Sequence, residues 1–241
     1  MSYYRNKIII ITGATSGVGK SIAKMLQKEG ARLFLIGRNF DSLKKELPTD
    51  QQVGFYAVNL SDDAEINKFV NQVNSSCDKI DILIHSAGVI DMGSIESLPV
   101  EKLDEQYRIN TRVPYLLTQK LLPLIKKTKG QVVFFNSTAG LQTREYMGTY
   151  SASKFALKAI ADSLRLEVRR DGVNVLSVFL GATATPMQEK VQDAMGKVFH
   201  AENFMNPDEI AERVLLAMQS GKVAGITDIT IRDHNGSNYF S

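Results

Sequence analysis

The stretch Ile8-Ile9-Ile10-Ile11-Thr12-Gly13-Ala14-Thr15-Ser16-Gly17-Val18-Gly19 decides the fold. Four consecutive isoleucines are too few to span a bilayer or to serve as a signal segment, and they suit a strand buried on both faces of a parallel sheet. Glycines follow at the spacing Gly-x-x-x-Gly-x-Gly, and a helical pattern begins at Val18. Glycine there permits a tight turn and lets the backbone approach a pyrophosphate closely. The free N–H groups of the helix N-terminus would then hold that anion. The spacing departs from Gly-x-Gly-x-x-Gly, so the weight falls on the position of the turn, directly after the first buried strand.

Outward from this turn, short β-branched runs alternate with longer stretches of helical period. Strands are expected at 7–12, 32–36, 52–58, 80–85, 131–136, 173–179 and 226–231, and helices at 18–29, 41–46, 62–74, 100–126, 150–170 and 207–219. The last helix has Asn206 as N-cap and Pro207 at its first position. Repeated β-α-β units with right-handed crossovers predict an α/β fold: a doubly wound, mostly parallel seven-stranded sheet with helices on both faces. No linker or repeat interrupts the series, so residues 1–241 read as one domain. The stretch 181–205 shows no clear pattern. It reads either as a substrate-side loop or lid, or as a helix of weak periodicity.

The chain has 241 residues, a net charge of +3 and 44% hydrophobic residues. It is long enough to bury a core without cross-links. The single cysteine, Cys77, forms no internal disulfide, and its polar surroundings suit an ordinary unreactive side chain. Basic and acidic residues are interspersed, so neither a nucleic-acid partner nor a membrane is expected, and a cytoplasmic location is. No metal site is expected.

About twenty residues after the turn, the second strand ends in Ile36-Gly37-Arg38-Asn39. An acidic residue here would hold the ribose 2′-hydroxyl of NAD. Arg38 instead offers a planar fork of donors to the 2′-phosphate of NADP. Tyr150 and Lys154 lie four apart at a helix start and share a face. A nearby ammonium would lower the phenol pKa and make Tyr150 a usable acid/base. Tyr-x-x-x-Lys also occurs at Tyr3–Lys7, but upstream of the turn and away from any cofactor. Ser137, at the end of the fifth strand, could hydrogen-bond a carbonyl oxygen gaining negative charge. His85, His200 and His234 offer no clear base, and no Gly-x-Ser-x-Gly elbow surrounds Ser137. Asn110 sits inside the long helix, and Pro114 lacks the N–H that would bond its carbonyl, so the helix should be disturbed there.

Together these residues resemble the short-chain dehydrogenase/reductase family over residues 5 to 231. The matching pieces are Thr12-Gly13-x-x-x-Gly17-x-Gly19, Asn110, Ser137 and Tyr150-x-x-x-Lys154. The resemblance implies hydride transfer between NADP(H) and a small carbonyl or alcohol substrate. Tyr150 would be the proton donor or acceptor and Ser137 would orient the carbonyl. Lys154 would hold the nicotinamide ribose, and Asn110 a proton-relay water. It assigns Thr15, Ser16, Val18 and the three glycines to the phosphates, with Arg38 and Asn39 beyond them. Asn59 and Leu60, then Ser86, Ala87 and Gly88, would flank the adenosine and ribose, and Gly181, Thr183 and Thr185 the nicotinamide side. It also implies a homodimer or homotetramer. Three places depart from the family pattern. His85-Ser86-Ala87-Gly88 replaces Asn-Asn-Ala-Gly, Asn59 replaces an acid, and Leu180-Gly181 replaces Pro-Gly. An NADP(H)-binding regulator without turnover is the alternative, but it has no need of Ser137, Tyr150 and Lys154 together.

Overall fold

The isoleucine run divides between two cores. Ile9 and Ile11 pack into one apolar cluster and Ile8 and Ile10 into the other, because successive side chains of a strand point to opposite faces. All four are buried, each contributing roughly 1.5–3 kcal/mol by leaving water. A strand covered on both faces has no polar side, which is why the sequence shows no alternation.

The computed structural model describes residues 2–47, 52–219 and 225–233. Its strands are β1 (Ile8–Thr12), β2 (Arg32–Gly37), β3 (Val53–Ala57), β4 (Ile82–His85), β5 (Gln131–Ser137), β6 (Asn174–Leu180) and β7 (Asp228–Ile231). They form one sheet in the order β3-β2-β1-β4-β5-β6-β7, and every neighbouring pair is parallel. Helices α1 (Gly17–Lys28), α2 (Asp41–Glu46) and α8 (Pro207–Met218) cover the face of Ile9 and Ile11. Helices α3 (Asp63–Ser76), α5 (Val113–Thr128) and α6 (Gly148–Glu167) cover the other. The strand order turns back between β1 and β4, and the crevice at their carboxyl ends is where ligands of such sheets bind.

Two helical regions differ from the simple reading. The single helix expected over 100–126 is α4 (Val100–Tyr107), a π-turn at Arg108–Arg112, and then α5. The disturbance expected from Asn110 and Pro114 is therefore present, with the Val113 N–H bonded five residues back to the Arg108 carbonyl. The unassigned stretch 181–205 is not a loop throughout, for α7 (Pro186–Ala194) lies inside it, followed by a 3₁₀ turn at Ala201–Asn203. Its start signal was legible: Thr185 accepts the Gln188 N–H, and Thr185-Pro186-Met187-Gln188 has capping-box spacing. Only Met187 and Val191 mark an apolar stripe near its start, so periodicity alone is weak.

The first copy of the Tyr-x-x-x-Lys pattern is structural. Tyr4 is buried and donates to the Leu215 carbonyl in α8, while the Lys7 ammonium lies over the Tyr3 ring. His234 lies outside the described residues. Among the described residues no helix is long and apolar enough to cross a membrane, and no cluster of His, Cys, Asp and Glu could hold a metal.

Gly13 adopts φ +69°, and a Cβ there would stand 2.7 Å from the Ala87 backbone. Gly196 has nearly the same φ, +67°, with nothing within 4 Å of its Cβ position. Gly196→Ala should therefore cost only the left-handed strain of about 1–2 kcal/mol. Gly13→Ala should cost roughly 1–3 kcal/mol more from the overlap with Ala87. Denaturant unfolding of the two variants measures the difference, and equal losses would contradict it.

Candidate active site

A cavity of about 530 Å³ opens at the carboxyl ends of β1, β4, β5 and β6. Its floor is the glycine turn. Thr12 Oγ1 accepts the Ser86 and Ala87 N–H groups at 3.2 and 3.1 Å, which pulls the end of β4 against the turn. Ser16, the N-cap of α1, makes no side-chain cap, and the first turn holds no acidic residue. The positive end of α1 therefore faces the cavity through Ser16, Gly17 and Val18 with no internal anion to satisfy it. Such a site fits a phosphate. Gly17 is also close to α7, since a Cβ there would lie 2.8 Å from Thr185 Cγ2.

Gly37 and Arg38 line the cavity beside Thr15. A Cβ on Gly37 would stand 2.3 Å from Thr15 Cγ2. No acidic side chain can occupy that place while Thr15 keeps its position. Arg38 is exposed, and among the described residues no hydrogen bond or ion pair holds its guanidinium. Asn39 is not among the residues lining the cavity, and its Oδ1 accepts the Asp41 N–H at 2.8 Å just before α2.

Ser137 ends β5, and Tyr150 and Lys154 stand one turn apart on α6. All three line the cavity, and the last two are almost wholly buried. Ser137 Oγ accepts the Ala139 N–H at 3.1 Å. Lys154 Nζ donates to the Phe135 carbonyl at 3.0 Å and lies 5.8 Å from the centre of the Tyr150 ring. Burial pushes the Tyr150 phenol up to about 12, and the neighbouring Ser137 hydroxyl pulls in the opposite direction. Burial also pushes the Lys154 ammonium down to about 8. The expected lowering of the Tyr150 pKa by Lys154 is thus not found. Desolvation outweighs the attraction, since both groups are out of water and the ammonium is turned to a carbonyl.

Asn110 lies behind the cavity wall rather than in it. Its Oδ1 accepts the Val89 N–H at 2.8 Å, and its Nδ2 donates to the Val89 carbonyl at 2.9 Å and to Ser153 Oγ at 3.0 Å. Gly19 also stays out of the cavity, because its Cβ position is 2.5 Å from the Gly13 carbonyl oxygen. The other expected residues, Asn59, Leu60, Ser86, Ala87, Gly88, Gly181, Thr183 and Thr185, all line it. The departing His85 is a core residue. It stacks on Phe134 and bonds Thr118 Oγ1 at 2.8 Å, and burial pushes its pKa down to about 3. Glu105, Arg144 and Met147, which the sequence reading did not single out, also line the cavity, and Met187, Lys190 and Val191 come from the expected substrate-side stretch 181–205. Met147 stands three before Tyr150, but the residues of α7 could be placed only once that helix was found.

The Lys154 shift has a sign that can be tested. Between about 8 and the usual 10.5 the native state holds fewer protons on Lys154 than the unfolded chain, so stability rises with pH across that window. Lys154→Met should be more stable than the unmodified chain near neutrality by about 1–3 kcal/mol, and the gap should narrow as pH climbs through the window. Tyr150 is common to both proteins and cancels. Unfolding free energies measured across pH check this, and a gap independent of pH would contradict it.

Comparison with known proteins identifies the family. The model of the short chain dehydrogenase family matches residues 7–196. An uncharacterised oxidoreductase of Staphylococcus epidermidis is 30% identical over 236 residues, covering 96% of this chain and 99% of that protein. Among solved structures, a metagenomic short-chain oxidoreductase in complex with NADP superposes with TM-score 0.80 at 25% identity, covering 95% of this chain and 97% of that one. An alcohol dehydrogenase of the archaeon Thermococcus sibiricus, complexed with 5-hydroxy-NADP, superposes with TM-score 0.84 at 24% identity over 95% and 97% of the two chains. The chain is therefore a member of the short-chain dehydrogenase family of nicotinamide-dependent oxidoreductases.

Proposed function

We propose that this protein transfers hydride between NADP(H) and a small carbonyl or alcohol substrate, with Tyr150 as proton donor and acceptor. The observation that carries this reading is one cavity holding Ser137, Tyr150 and Lys154 together with the uncapped N-terminus of α1. When bound, the reduced nicotinamide supplies the hydride. In reduction, Tyr150 gives its phenolic proton to the substrate oxygen as negative charge develops there. Ser137 Oγ already accepts from Ala139, so its own proton is available to the same oxygen. Lys154, held on the Phe135 carbonyl, supplies positive charge that favours the phenolate once the proton has left. Pro114 withholds the usual helical partner from the Asn110 carbonyl, leaving that oxygen for a relay water. In oxidation the phenolate takes the proton back from the alcohol.

The preference for NADP rests on Gly37, Thr15 and Arg38. The acid that would read a free 2′-hydroxyl is sterically excluded, and a guanidinium without a partner stands beside the cavity. The metagenomic relative, whose solved complex contains NADP, supports the same choice. NADPH should bind more tightly than NADH, and Arg38→Ala should remove most of the difference, roughly ten- to a hundredfold in affinity. Titration of both nucleotides measures this, and equal affinity in the unmodified protein would overturn it.

The catalytic assignment is tested at Tyr150. Tyr150→Phe keeps the ring and should still bind NADPH, but turnover of a confirmed substrate should fall by about 10²–10⁴-fold. Near-normal reduction by that variant would overturn the mechanism. With the phenol pushed up to about 12 it stays protonated near neutrality. Reduction should therefore hold from about pH 6 to about pH 8, while oxidation, which needs the phenolate, should rise with pH. A reduction rate that collapses within that range would contradict the assignment.

A further inference from the structure

The two large apolar clusters fill the faces of the sheet, but a third stands apart from both and is built around Tyr150. Met147, Ile90, Ala139 and Val191 are its buried members, with Met92, Met187 and Met195 packed against them. Four of the chain's eight methionines therefore belong to or pack against this cluster, and two of them, Met147 and Met187, line the cavity with Tyr150. They come from the segment after β4, the start of α6 and α7, so no single helical stripe explains them. A wall assembled from separate elements around a reacting group is a substrate surface, and methionine suits it because its unbranched side chain adapts to irregular apolar shapes.

The charges at the rim are largely spent on one another. Asp91 accepts from Lys190 at 2.9 Å and lies 3.5 Å from Lys102, which also pairs with Glu105 at 3.1 Å. Lys190 donates to the Ile90 carbonyl as well, at 3.2 Å, so this ion pair pins α7 to the segment after β4 and closes the apolar wall. Near the phenol, Ser137 provides the matching hydroxyl for a single carbonyl oxygen.

On the reading of the site as an NADP(H)-dependent carbonyl reductase, we infer that its substrate is a ketone or aldehyde carrying an apolar group of several carbons, or the corresponding alcohol. A polyol or a 2-oxo acid would have to bury hydroxyls or a carboxylate against methionine. Arg144 also lines the cavity and is the residue that would favour an anionic substrate, so the test includes that class.

The experiment follows NADPH oxidation by the unmodified protein with methyl ketones of increasing chain length, set against hydroxyketones and 2-oxo acids of matching length. The specificity constant should rise by up to about fourfold for each added methylene until the pocket is full. Met147→Gln should flatten that rise. Turnover confined to hydroxyketones or 2-oxo acids, or a flat ketone series, would overturn the inference and leave the reductase reading intact. If no compound is turned over, calorimetric titration of the same ketones into the protein with NADP⁺ separates the two. Affinity that grows with chain length upholds the apolar pocket and overturns the reductase reading, whereas affinity independent of chain length overturns both.

Discussion

The side chain of Asn110 joins three segments that the sheet alone would leave unconnected. One carboxamide satisfies both backbone groups of Val89 and bonds Ser153 Oγ, which itself donates to the Tyr150 carbonyl at 2.7 Å. Thr111 Oγ1 adds a bond to the Ser153 carbonyl at 2.8 Å. Asn110 and Thr111 can both face α6 because the π-turn at Arg108–Arg112 adds a residue to the helix, placing Ile109, Asn110 and Thr111 in consecutive buried positions. The backbone after β4, which flanks the cavity, is thereby set against the helix carrying Tyr150 and Lys154. In so dry a place each unmade bond would cost about 1–3 kcal/mol, so the contact is made as a unit.

The buried Lys154 works against the stability of the fold around it. Burial disfavours its ammonium near neutrality, whereas the Tyr150 phenol, pushed up to about 12, is uncharged there in the folded and the unfolded chain alike and costs nothing. The same low polarity that raises the phenol pKa also strengthens any hydrogen bond that Ser137 and Tyr150 make to a reacting oxygen.

Much of this architecture was legible in the sequence, wherever one physical signal dominated. The isoleucine run could only be a doubly buried strand, the glycine turn followed it directly, and Asn206-Pro207 announced α8. Asn110 and Pro114 foretold a broken helix because a missing N–H is a covalent fact. Where the structure differs from the simple reading, the cause is an interaction that residue type and spacing do not encode. The bond from the Asp41 N–H to Asn39 Oδ1 was not legible in the residue types. Gly19 serves the packing of the turn against Gly13. The Tyr150 pKa depends on burial and on the direction of the Lys154 ammonium, neither of which a four-residue spacing encodes. Helix α7 carried a cap signal but little apolar stripe, because its buried side, which includes its own Gln188 and Gln192, faces a cavity rather than the main core.

If the Asn110 carboxamide is what holds the cavity wall to α6, its removal should be felt first at Val89. Amide hydrogen exchange across residues 87–91 in Asn110→Leu, with turnover and NADPH affinity measured on the same sample, tests this most directly. Protection of the Val89 N–H should fall well below that of the unmodified protein and turnover should drop strongly, while NADPH affinity stays within a few-fold. Unchanged protection at Val89 together with full turnover would reduce Asn110 and its π-turn to a helix irregularity without consequence for the site.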